Sequence, residues 1–285
     1  MNKTHGFPAA LHCGRRGSRN GPCGGELDHI GGNGMEKLYQ KSRLAFALAC
    51  IGIYCVLQSL ANPLNQVIGV PYSASAVLCA LQAVFLLGFI KRNGLSQQYG
   101  LCKSAVPARR FLYYLPLAVL MTRNFWNGAA FNAMLTETVC YIICMLCVGF
   151  VEEVIFRGLL FRAMAEDNRN TAVVISSLTF GLGHLLNLVN GSGAGLAETL
   201  LQVAGAVALG FLFVILFDCG GSLLPCILAH AVINITSIFA NETGLTLEKG
   251  MAMQLVLIAV AVAYALILSK TLPKDQRAKV HWQQA

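Results

Sequence analysis

Charge is scarce in this chain: Asp, Glu, Lys and Arg make up 12% of its 285 residues, about half the share usual in a soluble domain. With 56% apolar residues, that scarcity excludes an ordinary soluble enzyme. Length alone would allow two soluble domains, but the apolar runs follow one another too closely to leave room for one. Other absences narrow the field. No internal repeat is visible, which counts against transporters built from two related halves. HExxH is missing, so this is no ordinary zincin. The first charges are not followed by an apolar core, so the N-terminus does not read as a signal peptide. Cys144-x-x-Cys147 lies mid-span without a second pair, which disfavours a zinc knuckle or redox motif.

What is present is a series of apolar runs near the roughly 20 residues needed to cross a bilayer core. Backbone groups in lipid must be satisfied within the segment, so the expected fold is all-α, a polytopic transmembrane helical bundle of about eight spans. We place the spans at 44–62, 73–90, 109–126, 133–165, 171–189, 196–217, 222–240 and 251–269. The fourth is too long for a simple crossing, and its end, Glu152 to Arg162, is expected to emerge at the membrane surface. Most cysteines lie within these runs (Cys50, Cys55, Cys79, Cys140, Cys144, Cys147 and Cys226) and read as small hydrophobes. Cys13 and Cys23 fall in a tail placed in the cytoplasm, where a structural disulfide is not favoured.

The net charge of +8 is distributed as a topology signal. Basic residues gather in the N-terminal region (Lys3, Arg15, Arg16, Arg19, Lys37, Lys41, Arg43), around 91–110 (Lys91, Arg92, Lys103, Arg109, Arg110) and at the C-terminus (Lys270, Lys274, Arg277, Lys279). With both termini cytoplasmic, the outer loops hold only Arg123 and Lys249, as the positive-inside rule requires. The basic balance is therefore not read as nucleic-acid binding; the partners expected are the lipid bilayer of a plasma membrane and a peptide or protein substrate. Residues 1–34 read as a disordered tail. Met35 opens MEKLYQKSRLAF, a natural start, so that tail also reads as an upstream extension. The membrane domain covers 35–270, and 271–285 forms a basic cytoplasmic tail. The segment 187–196 is charge-free and glycine-rich, a flexible outer loop.

Against this apolar background, three segments carry polar groups. Glu152, Glu153 and Arg157 sit in CVGFVEEVIFRGLLF, His184 in SSLTFGLGHLL, and His230 with Asn234 in LLPCILAHAVINI. Each charge at bilayer depth costs about 2.5–3.5 kcal/mol on insertion scales, so such groups are rare and commonly functional. Glu153 and Arg157, four apart, share a helix face and can pair, which leaves Glu152 available for acid–base chemistry. Phe180 and His184 are one turn apart, and Gly181 and Gly183 let a neighbouring backbone approach. Asn187 shares that face. His230 and Asn234 present two hydrogen-bond donors side by side, suited to a developing oxyanion or, for His230, to a metal. Each feature alone reads equally as a packing contact; three together point to one polar site on three central helices.

EEVIFR (152–157), FGLGH (180–184) and HAVIN (230–234) resemble, in order, the EExxxR, FxxxH and HxxxN motifs of the CPBP superfamily. That group comprises type II CAAX prenyl endopeptidases and bacterial CAAX protease and bacteriocin-processing (Abi) proteins. The resemblance covers about 130–240 and implies an intramembrane endopeptidase. It implies that Glu152 and His184 activate water, that His230 and Asn234 stabilise the oxyanion, and that Glu153, Arg157 and Phe180 support the site. Members of the superfamily are described both as metalloproteases and as glutamate-dependent proteases. Either a divalent metal such as zinc, with Glu152, Glu153, His184 and His230 as candidate ligands, or a carboxylate alone would serve; the latter is favoured.

Two rivals stand beside the protease: a non-catalytic bacteriocin self-immunity or scaffold protein of the same family, and a transporter or proton relay. The compact form looks bacterial, where a bacteriocin precursor or peptide pheromone is a more natural substrate than a prenylated tail.

Overall fold

A computed structural model describes residues 34–107, 110–189 and 195–271. The expected N-terminal tail up to residue 33, with Cys13 and Cys23, lies outside them. So do the basic tail beyond residue 271 and residues 190–194 of the glycine-rich loop 187–196. The chain is an all-α bundle: α1 (Gly34–Lys41), α2 (Arg43–Ile68), α3 (Ser73–Arg92), α4 (Phe111–Met121), α5 (Leu135–Glu152), a π-helical segment (Glu153–Phe161), α6 (Arg162–Ala165), α7 (Arg169–Gly183), α8 (Leu186–Val189), α9 (Leu196–Gly220), α10 (Leu224–Thr236) and α11 (Leu247–Thr271). Among the described residues the only extended pairing is an isolated bridge between Ala129 and Ala240.

Five stretches are long and apolar enough to cross a membrane: α2, α3, the continuous rod Leu135–Ala165, α9 and α11. The other three expected spans correspond to shorter helices, α4 of 11 residues, α7 of 15 and α10 of 13. We read the chain as a multi-pass membrane protein.

Local chemistry sets the helix ends. The Ser42 side chain accepts from Ala45 N at 3.1 Å to open α2. That helix closes at Gly69, whose φ of +76° suits the left-handed cap. Asn65, late in α2, then caps the next helix: its Oδ1 accepts from Ala74 N at 2.8 Å and its Nδ2 donates to Ser75 Oγ at 2.8 Å. Asn168 caps α7 by accepting from Thr171 N at 3.0 Å.

The rod 135–165 runs through the middle of the bundle. All nine residues of its π segment are buried, packed by α2, α5, α7 and α9. Glu152 to Arg162, expected from the length of the run to emerge at the membrane surface, are enclosed by protein. Neighbouring helices enclose that end of the rod, and Glu153 and Arg157 are fully buried. The peripheral helices differ in kind: only 28% of the apolar window of α2 or of α11 is buried, against 50% in α9. Their outward side chains, such as Leu48, Val56 and Leu266, are exposed apolar groups on a face suited to lipid.

Close helix contact depends on small residues. A Cβ on Gly181 would lie 3.0 Å from Val207 N, and one on Gly210 would lie 3.1 Å from Ser177 Cα, so α7 and α9 meet backbone to backbone. Gly183, by contrast, has open space around it.

Candidate active site

The sequence places Glu152 and Glu153 at the junction where α5 passes into the π segment. A π turn is wider than an α turn, and such turns are frequent at functional sites. Ser176 of α7, fully buried, donates to the displaced Phe156 carbonyl at 2.8 Å and so satisfies the wide turn from outside.

Within the turn, Glu153 Oε1 accepts from Arg157 Nη1 at 3.1 Å and faces His230 Nδ1 at 2.8 Å. His230 Nε2 lies 3.4 Å from Glu152 Oε2, so one imidazole bridges the two carboxylates. Glu152 Oε1 is held from the other side by the Tyr54 hydroxyl, which donates at 2.5 Å. Arg157 is thus the partner of Glu153, as the spacing suggests. Glu152 is not a free carboxylate; it is gripped through one oxygen. Its Oε2, with Glu153 Oε2 and Arg157 Nε and Nη2, is buried without a hydrogen-bond partner among the described residues. Unpaired buried polar atoms concentrated in one place mark a site with capacity for a further polar group.

Phe180 forms the wall of this cluster. The Arg157 guanidinium sits 3.9 Å from its ring centroid, with Phe213 beyond at 5.6 Å. The same ring meets both imidazoles edge-on, His184 at 5.4 Å and His230 at 5.7 Å. The span expected at 171–189 is interrupted: α7 stops at Gly183 and His184 is its C-terminal cap. Its Nδ1 lies 3.3 Å from the Phe180 carbonyl, one of the helix-end oxygens that need a donor. Among the described residues, His184 forms no ion pair with either glutamate.

The expected pairing of His230 with Asn234 divides. His230 commits Nδ1 to Glu153 and turns Nε2 toward Glu152, while Asn234 is half-buried one turn further along α10. The Asn234 backbone carbonyl accepts from Tyr141 at 3.2 Å and Ser237 at 2.8 Å, fixing that turn. A cavity of about 240 Å³ opens beyond the end of α10, lined by Arg123, Asn124, Trp126 and Gln254, and takes in none of the motif residues.

The register of α10 against α5 rests on Gly149, where a Cβ would lie 2.9 Å from Ala231 N. Gly149→Leu is expected to force these helices apart at a cost of about 1–3 kcal/mol. The check is a lower melting temperature in detergent together with loss of His230–Glu153 coupling in a double-mutant cycle.

Among the described residues no group of three or more His, Cys, Asp or Glu is arranged to hold an ion. Glu153 Oε1 is shared between Arg157 and His230 Nδ1.

Three residues at the site carry no motif. Tyr54 had a signal in the sequence, since a phenol in an apolar span needs a partner for its hydroxyl. Ser176 and Gly149 had none beyond being small.

Residues 134–236 match the family model described as Type II CAAX prenyl endopeptidase Rce1-like. The matched stretch holds all three motifs and agrees with the resemblance read from EEVIFR, FGLGH and HAVIN. No curated protein and no solved structure matches the chain.

Proposed function

We propose that this chain is an intramembrane endopeptidase that hydrolyses a membrane-associated peptide or protein, with Glu152 as the base that activates water. The observation that carries this reading is the convergence of Glu152, Glu153 and His230 on one buried centre, inside the stretch similar to type II CAAX prenyl endopeptidases. Polar groups gathered at one point, rather than strung along the bundle, disfavour a transport path.

In this mechanism Glu152 Oε2 takes a proton from water as the water oxygen bonds to the scissile carbonyl carbon. The resulting oxyanion needs a donor. With His230 held by the glutamates, the Asn234 amide is the group on α10 left for that role. Collapse breaks the C–N bond, and the proton on Glu152 passes to the leaving amine. Glu153 and Arg157 keep His230 oriented. His184, with Nδ1 on a carbonyl, presents Nε2 as an acceptor for the same water. We place the protein in a bacterial plasma membrane with both termini cytoplasmic, acting on a bacteriocin precursor, a peptide pheromone or a similar peptide.

One observation favours the non-catalytic immunity or scaffold alternative: among the described residues His184 makes no ion pair with Glu152, and its Nδ1 lies on the Phe180 carbonyl of its own helix. Peptide cleavage by purified protein in detergent separates the two. We expect Glu152→Ala and His184→Ala each to lose at least about 100-fold in rate, and chelator to leave the wild type active. Full activity in both variants sinks the catalytic assignment. A wild type that cleaves nothing but protects cells against a bacteriocin establishes the alternative.

A further inference from the structure

Tyr54 lies eleven residues into α2, far in sequence from every motif, and is buried with 9% of its surface exposed. Its hydroxyl is spent on one atom, Glu152 Oε1, at 2.5 Å. The other titratable and charged groups in the neighbourhood of Glu152 are the Cys55 thiol of α2, Cys79 of α3, Cys144 of α5, the Glu153–Arg157 pair and His230 of α10. The thiols are weak donors, and Cys79 and Cys144 face each other at 3.9 Å. Arg157 is taken by Glu153 at 3.1 Å, and His230 Nε2 stands 3.4 Å away, long for a hydrogen bond. Among the described residues, the orientation of the Glu152 carboxylate therefore rests on Tyr54.

That contact makes the two carboxylate oxygens inequivalent. Oε1 is occupied, whereas Oε2 is buried and without a hydrogen bond. We propose that Tyr54 is a positioning residue for hydrolysis, holding Glu152 by Oε1 so that Oε2 is the oxygen presented to water. This rests on the endopeptidase reading above. A carboxylate held by a single donor loses its fixed torsion when that donor goes, and a base must sit within about 0.5 Å of its productive position to work at full rate. Tyr54→Phe keeps the ring and its packing and removes only the oxygen, so it tests the hydrogen bond rather than the fold.

The experiment pairs two readouts on the full-length protein in detergent. In infrared difference spectra, the carboxylate band that disappears in Glu152→Gln is assigned to Glu152, and Tyr54→Phe is expected to shift it. In the cleavage assay, Tyr54→Phe is expected to lower kcat by about 10- to 100-fold with KM within about twofold, the loss of one charge-assisted hydrogen bond. Tyr99→Phe, whose hydroxyl contacts Tyr39 at 2.8 Å, serves as the control and leaves both band and kcat unchanged. An unmoved band overturns the proposal. So does a kcat within twofold of wild type in an active preparation, whatever the band does. A wild type that cleaves no peptide overturns the endopeptidase reading and the Tyr54 role together, and is distinguished by needing no variant at all.

Discussion

Arg157→Met is expected to leave little folded protein. Arg157 and Glu153 are both fully buried, four residues apart in the π segment, and joined at 3.1 Å. Removing the guanidinium leaves a buried carboxylate without its cation, with only His230 Nδ1 still on its Oε1. Breaking a buried pair in this way costs about 3–5 kcal/mol, a large part of an ordinary stability of about 5–15 kcal/mol. Arg157→Lys is not expected to rescue it, because an ammonium lacks the planar face that lies on Phe180 at 3.9 Å. The double variant Glu153→Gln with Arg157→Met leaves no unpaired charge and should regain most of the loss. Melting temperature in detergent across the four proteins checks this. If the double variant is as unstable as Arg157→Met, the pair is not what holds this part of the fold.

Glu152→Gln should behave in the opposite manner. The amide oxygen can still accept from Tyr54, and 12% of the native side chain is exposed, so the fold is expected to persist with a similar melting temperature. Chemistry should not persist: an amide cannot take a proton from water, and losing a general base costs about 10²–10⁴-fold. Adjacent glutamates would thus separate, Glu152 governing rate and Glu153 governing stability. Near-wild-type cleavage by Glu152→Gln would remove the carboxylate from the mechanism.

The helices were legible because apolar length and turn residues write them directly. Each of the eight expected spans has a helix, and α4 and α10 continue into short 3₁₀ turns at Arg123–Phe125 and Ser237–Phe239. The Glu153–Arg157 pair was legible from spacing alone. The wide turn that carries it was not, since nothing in EVIFRGLLF announces a π hydrogen-bond pattern and the donor supporting it, Ser176, comes from another helix. The long apolar run likewise could not say that its end would be enclosed instead of exposed; that depends on α2, α7 and α9 packing around it. His184 illustrates a boundary effect: apolar residues continue past it, but α7 ends at Gly183 and the imidazole becomes a cap. The partners of His230 and Glu152 were hidden for a simpler reason: they lie 77 and 98 residues away in sequence.

The short helices have a consequence for the surrounding lipid. At about 1.5 Å per residue, α4, α7 and α10 span about 17, 23 and 20 Å, against a hydrocarbon core of about 30 Å. Thinning of the bilayer is one response to such short spans, at a fraction of a kcal/mol for each ångström of mismatch. His230 lies on α10 and His184 caps α7, so such thinning is expected beside the elements that carry the polar centre. Thinning there would bring headgroups and their water toward that depth. Acyl-chain length becomes a control on the chemistry: thick, sterol-like bilayers would starve the site of water, and thin ones would feed it.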